Sequence, residues 1–358
     1  MFIEGITKVI KGATEYPVLV EVVDGKLFIA SYTDFHSIVF ECDTEWEDFK
    51  FVLSAATARQ LPKIIGNQMK LEVGSNVTIE ADGVSLKLTT LDPDNSMSLS
   101  QHLTKYPEQI DWIVASDDLK GAFTRIKHSS LNATIGDIVL KGYHMTRKGD
   151  KLEVMASNGP VLSVANILLL SDSTEMDGMF LLNQEFHNLV DLLSSSEKVS
   201  IGFTKDTIGL RNESGDGSVI KVVSALTKGT SFEYQKVLDN VVANPIQYTF
   251  STKDMLKAYN KNHFFTNASL WNRVTLILST DSITITSNNT YGEANTTIPV
   301  SSNATKEIEI AINGNYLSNY LAKVSSSEIT LAVKDAKSPI IMTDEYETEV
   351  ILPISLPS

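Results

Sequence analysis

A single cysteine, Cys42, stands in the 358 residues, so no intrachain disulfide can form. That usage fits a reducing compartment, and a cytoplasmic location is expected. Long apolar runs are missing as well. No stretch approaches the roughly 18 apolar residues of a membrane-crossing helix, so no membrane association is expected. Met1 leads into Phe2-Ile3-Glu4-Gly5, with neither a basic start nor an apolar core of the signal-peptide kind. Asn-x-Ser/Thr triplets, such as Asn132 to Thr134 and Asn267 to Ser269, therefore read as chance matches in a chain rich in those residues. Positive charge is in deficit: the formal net charge is −14, which argues against nucleic-acid binding through a broadly basic surface. The six histidines are scattered without metal-ligand spacing. There is no P-loop, no dinucleotide glycine fingerprint and no Gly-x-Ser-x-Gly elbow. Asp92-Pro93-Asp94-Asn95 reads as a turn rather than a carboxylate pair. No catalysis, cofactor or metal is expected.

What the chain does have is repetition. Leu61, Ile64 and Ile65 stand at i, i+3 and i+4, as do Leu189, Leu192 and Leu193, and again Leu317, Tyr320 and Leu321, with the sets 128 residues apart. That spacing is the buried stripe of a short amphipathic helix. Each set is followed by alternating apolar and polar residues: Met69 to Val73, Val199 to Phe203, and Ile329 to Val333. Period-two alternation predicts half-buried strands. Upstream, a turn feeding a strand also recurs, at Asp24 to Ala30, Gly149 to Ala156 and Thr280 to Thr286. Each copy runs on to a polar pair: Thr33-Asp34, Ser157-Asn158 and Asn288-Asn289.

Two copies open with a strand and a helix start, Trp112 to Val114 before Ser116-Asp117-Asp118-Leu119, and Tyr248 to Phe250 before Ser251-Thr252-Lys253-Asp254. Ser116 and Ser251 are the expected N-caps. The corresponding cap of the first copy would precede Met1, which leaves that copy a helix around Glu4 to Lys11 and at most a stub of its first strand. Pro62 falls inside the helix that carries Leu61, where it should kink the helix or delay its start. The expected fold is α+β, in three repeated domains of 1–110, 111–243 and 244–358, each with two helices and roughly eight strands in antiparallel sheets.

Several runs are similar to the bacterial DNA polymerase III beta subunit, the DNA sliding clamp family. They are Asp24 to Leu27 with Thr33-Asp34, Leu152 to Leu162, Phe232 to Leu238, Asn288 to Ala294, and Ser338 to Ile354. The resemblance covers nearly the whole chain in the same order. It implies a non-enzymatic processivity factor. Three DNA-clamp domains would form half of a six-domain ring, closed by a head-to-tail homodimer around double-stranded DNA. Helices would line the hole and sheets would form the outside. The implied partners are DNA polymerase, the clamp loader and other proteins that carry clamp-binding peptides.

The charge distribution fits that implication. Helices placed at 1–12, 54–66, 116–130, 183–196, 251–265 and 313–324 hold eleven Lys/Arg and six Asp/Glu, a net of +5, which leaves −19 for the rest. The cations are Lys8, Lys11, Arg59, Lys63, Lys120, Arg125, Lys127, Lys253, Lys257, Lys261 and Lys323. As DNA-facing residues they would centre the duplex by weak phosphate attraction.

The resemblance further implies a hydrophobic peptide pocket at Ser157, Gly159, Leu162, Lys236, Val237, Val350, Leu352, Pro353 and Ile354. Apolar anchors of an extended peptide suit such a groove. Where the family has Gly-His-Arg-Leu, this chain has Gly159-Pro160-Val161-Leu162. Ser355 replaces a common basic residue, and Pro357-Ser358 extend the tail. These departures point to a divergent member, of the kind phages or mobile elements carry. Phe264 and Phe265 match an apolar dimer pair and should meet the last strand of the first domain around Ser85 to Leu91, at Leu86 and Leu88. Two other readings compete. A clamp of the archaeal and eukaryotic type has two repeats, against three here. An acidic β-rich structural or adhesion protein, such as a phage tail component, leaves the cationic helices unexplained.

Overall fold

The computed structural model describes residues 1–66, 69–74, 76–81, 83–92, 106–131, 142–172, 178–195, 197–228, 234–242, 245–267 and 269–354. Pro93 to Asn95 and the Asn132 triplet lie outside them. The chain groups into two compact units, one of Met1–Lys120 with Leu168–Lys228, the other of Gly121–Ile167 with Gly229–Ser358.

In the first unit a long antiparallel sheet carries the core. Its first four strands are Phe49–Leu53, Val18–Val23, Lys26–Tyr32 and His36–Asp43. It continues through Val219–Ala225, Thr207–Glu213, Lys198–Phe203 and Trp112–Ala115. The hairpin between the second and third of these strands closes on Asp24 and Gly25, both at positive φ (51° and 73°), with Val23 paired to Lys26. Two successive left-handed residues match the twist of a tight hairpin, which is why Asp-Gly stands there.

The helix Phe2–Gly12 buries Phe2, Ile6 and Val9 on this sheet. A Cβ on Gly5 would come within 2.5 Å of the Phe40 ring, so glycine permits the close approach. A separate three-stranded sheet (Lys70–Val73, Val77–Ala81, Val84–Leu88) places Val84–Leu88 at its edge.

The second helix, Ala55–Ile64, starts on time despite Pro62. Ser54 accepts from the Thr57 amide at 3.1 Å, and Pro62 sits in the last turn, two residues before the end. The expected stripe is only partly buried. Leu61 and Ile65 are core, but Ile64 is 46% exposed, because the helix ends at that residue and Ile65 turns to extended backbone. The helix expected over 183–196 is only Phe186–Val190. Beyond it the amides of Leu192 and Leu193 bond three residues back, and the Ser194 amide donates to the Asn212 side chain at 2.6 Å. That side chain captures the next amide, while Leu189, Leu192 and Leu193 stay buried.

The second unit holds a four-stranded sheet in the order Gly292–Pro299, Ser282–Asn289, Arg273–Leu278, Ile308–Asn313. Another sheet runs from Ile246–Ser251 through Glu328–Val333, Ile340–Thr343 and Glu347–Ile351 to Val161–Ala165. The helices Thr252–Asn267 and Gly314–Leu321 supply Met255, Tyr259, Leu317 and Tyr320 to a core shared with Tyr248, Phe250, Leu276 and Leu331. Ser251 caps the first of these helices as expected, through the Asp254 amide at 3.2 Å. Ser116 does not cap its helix: its hydroxyl is buried without a partner among the described residues, since Ser116 already lies inside the first turn of Ser116–Leu131.

The helix Tyr234–Val242 was not expected as such, although Tyr234, Val237, Leu238 and Val241 carry the spacing. Among the described residues, no helix is long and apolar enough to cross a membrane.

Candidate functional site

Three surfaces carry the residues singled out from the sequence. The first is the set of helix faces. With the observed bounds, the six expected helices keep ten Lys/Arg and four Asp/Glu, because Glu185, Asp191 and Lys323 fall outside them. Lys253, Lys257 and Lys261 lie four residues apart, exposed, opposite the buried Met255, Ala258, Tyr259 and Asn262. Lys11, Arg59 and Lys63 are exposed too. Arg59 reaches Glu15 at 3.1 Å. Lys8 is half-buried, 2.9 Å from Glu4 and 5.5 Å above the Phe40 ring.

Lys120, Lys127 and Lys323 are half-buried as well, and the Lys120 ammonium donates to Ser195 at 3.4 Å. Arg125 is held differently. Its guanidinium lies 5.4 Å over the Tyr346 ring, and its Nε is buried without a hydrogen-bond partner among the described residues.

Below Arg125 lies a buried polar network that sequence reasoning missed. Glu347 and Glu349 alternate along one face of their strand, 1% and 0% exposed. Glu349 Oε2 sits 2.9 Å from His128 Nε2 and accepts from the Ser163 hydroxyl at 3.0 Å. Burial pulls the His128 imidazole down, but the bond and charge of Glu349, with the Arg125 carbonyl, raise it overall above its ordinary value. Glu347 has no hydrogen-bond partner on either oxygen among the described residues. Burial, then the Glu349 charge, push its carboxyl up to about 9. At neutral pH it is therefore a neutral acid.

The second surface is the loop Ser157–Val161 with the end of the last strand. The Ser157 hydroxyl donates to the Val161 carbonyl at 2.8 Å and accepts from the Gly159 amide at 3.2 Å. Gly159 stands at φ 96°, a conformation that suits glycine. Leu162 pairs with Val350 across the two strands, both buried. Leu352, whose amide donates to the Pro160 carbonyl at 2.9 Å, is 45% exposed. Pro353 and Ile354 are half-buried, and the Ile354 amide donates to Ala311 at 2.7 Å. In the helix Tyr234–Val242, Lys236 is exposed and Val237 half-buried. Ser355, Pro357 and Ser358 lie outside the described residues.

The third group of residues lies at the end of the helix Thr252–Asn267 in one unit and on the edge strand Val84–Leu88 in the other. Phe264 is 65% exposed, with its ring centroid 5.1 Å from Phe265 and 6.2 Å from Tyr291. Phe265 is half-buried. Leu86 and Leu88 are half-buried on the edge strand Val84–Leu88, and the expected run to Leu91 is interrupted, Leu91 making only an isolated bridge to Val52.

Among the described residues, no group of His, Cys, Asp and Glu could hold a metal ion. Cys42 is buried, and burial pushes its thiol up, away from the thiolate form.

The fold defined by these elements is that of bacterial sliding clamps. The DNA polymerase III subunit beta of Pseudomonas aeruginosa superposes with a TM-score of 0.84 at 16% identity, over 99% of this chain and 98% of that one. The beta subunit of Thermotoga maritima gives 0.83 at 17% identity, over 99% and 97%. A putative beta subunit from Eubacterium rectale gives 0.83 at 15%, over 99% and 97%. Residues 244–355 match the family model described as the DNA polymerase III beta subunit, C-terminal domain. No curated protein matches the chain. The chain thus has the clamp fold from end to end, and its C-terminal third carries the sequence pattern of that family.

Proposed function

We propose that the chain is a non-catalytic DNA sliding clamp that closes as a head-to-tail homodimer around duplex DNA and tethers replication proteins. The observation that carries this reading is the pairing of a clamp fold over 99% of the chain with cationic helix faces in a chain of net charge −14. Lys253, Lys257 and Lys261 are the clearest of these, a solvent-facing stripe of three cations with one acidic residue, Asp254, beside it on the helix. Weak phosphate attraction suits a ring that slides, with retention left to topology.

The proposed division is 1–110, 111–243 and 244–358, and the family match beginning at 244 supports its last boundary. Ring closure uses the two open edges. Val84–Leu88 and Gly292–Pro299 each end a sheet, and an uncovered edge invites another strand. Phe264 and Phe265 of one copy would pack beside Leu86 and Leu88 of the other, in a head-to-tail contact that closes after two subunits. Exposed Leu352, with Pro353, Ile354, Val237 and the loop at Gly159, forms the site for partner peptides, with Leu162 and Val350 as its floor. Its Pro160 makes it less polar than the family pattern, while Val161 is buried in the core.

Sedimentation equilibrium tests the ring: twice the chain mass is expected at micromolar concentration, and a monomer there overturns it.

A further inference from the structure

A second groove in the first unit repeats the construction of the Leu352 site. In that site Val161 pairs with Ile351, the Leu352 amide donates to the Pro160 carbonyl at 2.9 Å, and the Ile354 amide donates to Ala311 at 2.7 Å. In the first unit His36 pairs with Ser224, the Ala225 amide donates to the Phe35 carbonyl at 2.8 Å, and the Thr227 amide donates to Leu181 at 2.8 Å. Phe35 thus stands in the place of Pro160, Ala225 in that of Leu352 and Thr227 in that of Ile354. Leu181 and Ala311 each lie on the strand that leads into a helix, Phe186–Val190 and Gly314–Leu321.

The substitutions within this shared frame open a cavity. Ala225, with its single methyl, takes the place of the leucine, and a hollow of about 260 Å³ lies there, lined by Tyr32, Phe35, His36, Val223 and Ala225 among others. That is room for side chains rather than for a cofactor. Phe35 is 55% exposed at its rim, held in place by a turn in which the Thr33 hydroxyl accepts from the Phe35 and His36 amides at 3.1 and 3.0 Å. His36, also in the lining, is 5% exposed; its Nε2 lies 3.5 Å from Glu185, and its Nδ1 is buried with no hydrogen-bond partner among the described residues. Burial lowers the imidazole's affinity for a proton, against the opposing pull of Glu185, so the ring is neutral and offers an acceptor. The charged residues of the lining, Asp34 and Asp206, are both acidic and both exposed, with Lys228 3.9 Å from Asp206.

We propose that this groove is a second peptide-docking site, taking a short extended segment with an apolar side chain next to a lysine or arginine. The apolar side chain fills the space beside Val223 and Ala225, stacked against Phe35. The cation sits between Asp34 and Asp206. The choice of a peptide as occupant rests on the reading of the Leu352 groove as a peptide site; the apolar hollow and acidic rim stand on their own. Charge separates the two grooves: two carboxylates border this one, whereas the residues proposed for the first include one lysine, Lys236, and no acidic side chain.

The test is to pan a phage-displayed library of random linear heptapeptides on the full chain and to measure the selected peptides by fluorescence polarisation. Three variants are compared: Asp34→Lys with Asp206→Lys, Ala225→Trp, and Leu352→Arg. The double charge reversal alters only exposed side chains, so it keeps the fold even where Ala225→Trp fails to. The expected result is a class of peptides that pair Lys or Arg with an aliphatic or aromatic residue. These lose about tenfold or more in affinity on charge reversal at low salt and are unchanged by Leu352→Arg. If every selected peptide depends on Leu352 and none on Asp34 and Asp206, this site is overturned while the first stands. If no selected peptide responds to any variant, both peptide readings fall. If the chain itself associates through Asp34 and Asp206, the groove is a self-contact and the peptide assignment is wrong.

Discussion

Replacing Glu347 with glutamine should stabilise the protein, and increasingly so as the pH rises. The carboxyl is buried between Arg125, Glu349, Asp344 and Tyr320, with both oxygens unpartnered among the described residues. Its pKa stands at about 9 in the folded chain against an ordinary 4.5. A carboxyl raised in this way contributes fully below its unfolded pKa and loses that contribution as pH climbs towards the folded one. Between those limits the folded state keeps a proton that the unfolded chain releases, which costs about 1.4 kcal/mol per pH unit. At pH 7 the cost is about 3 kcal/mol. Glutamine has nearly the same shape and no proton to hold. Urea denaturation of both proteins at pH 6, 7 and 8 reads the difference. The advantage of Glu347→Gln should widen by about 3 kcal/mol between pH 6 and pH 8. Parallel stability profiles, or a glutamine variant that loses ground as pH rises, would refute the assignment of a neutral buried acid.

Four other outcomes follow from the same structure. His128→Ala leaves the fully buried Glu349 with Ser163 as its remaining hydrogen-bond donor and should cost about 3 kcal/mol in the same assay at pH 6, as the breaking of a buried pair does. Gly5→Ala forces a methyl against Phe40 and Ile29 and should cost about 1–3 kcal/mol by thermal unfolding. Phe264→Lys places a charge in the proposed subunit contact, and analytical ultracentrifugation should show the dimer weakened by at least about a hundredfold, the chain fold unchanged by circular dichroism. Leu352→Arg should abolish binding of partner peptides at the first groove without changing the dimer, read by fluorescence polarisation and sedimentation together.

Much of the architecture was legible because burial imposes a period. The stripes at Leu189, Leu192 and Leu193 and at Leu317, Tyr320 and Leu321 are core, and the alternating runs after them are strands. The first stripe misled at Ile64 because the helix stops there, and element ends are set by local hydrogen bonding that periodicity does not report. Ser116 misled for the same reason. Its residue type suits a cap, but the turn begins one residue earlier than the cap position requires. The helix Tyr234–Val242 was legible and passed over. The network of Glu347, Glu349 and His128 was not, because Glu at alternate strand positions reads as a solvent face. Only the packing of a helix against that face, with Arg125 and His128 on it, makes both carboxylates internal. The Phe35 groove was invisible in the same way, since Phe35 and Ala225 meet only through strand pairing 190 residues apart in sequence.

The central claim is that the chain encircles DNA, and retention on circular against linear duplex tests it most directly. The protein is loaded on nicked plasmid by an active clamp loader, washed at high salt, and the plasmid is then cut. Salt strips a protein held by phosphate contacts from either form. A ring stays on the circle through the wash and is lost once the DNA has ends. Salt-sensitive binding that is equal on circle and line would contradict the claim.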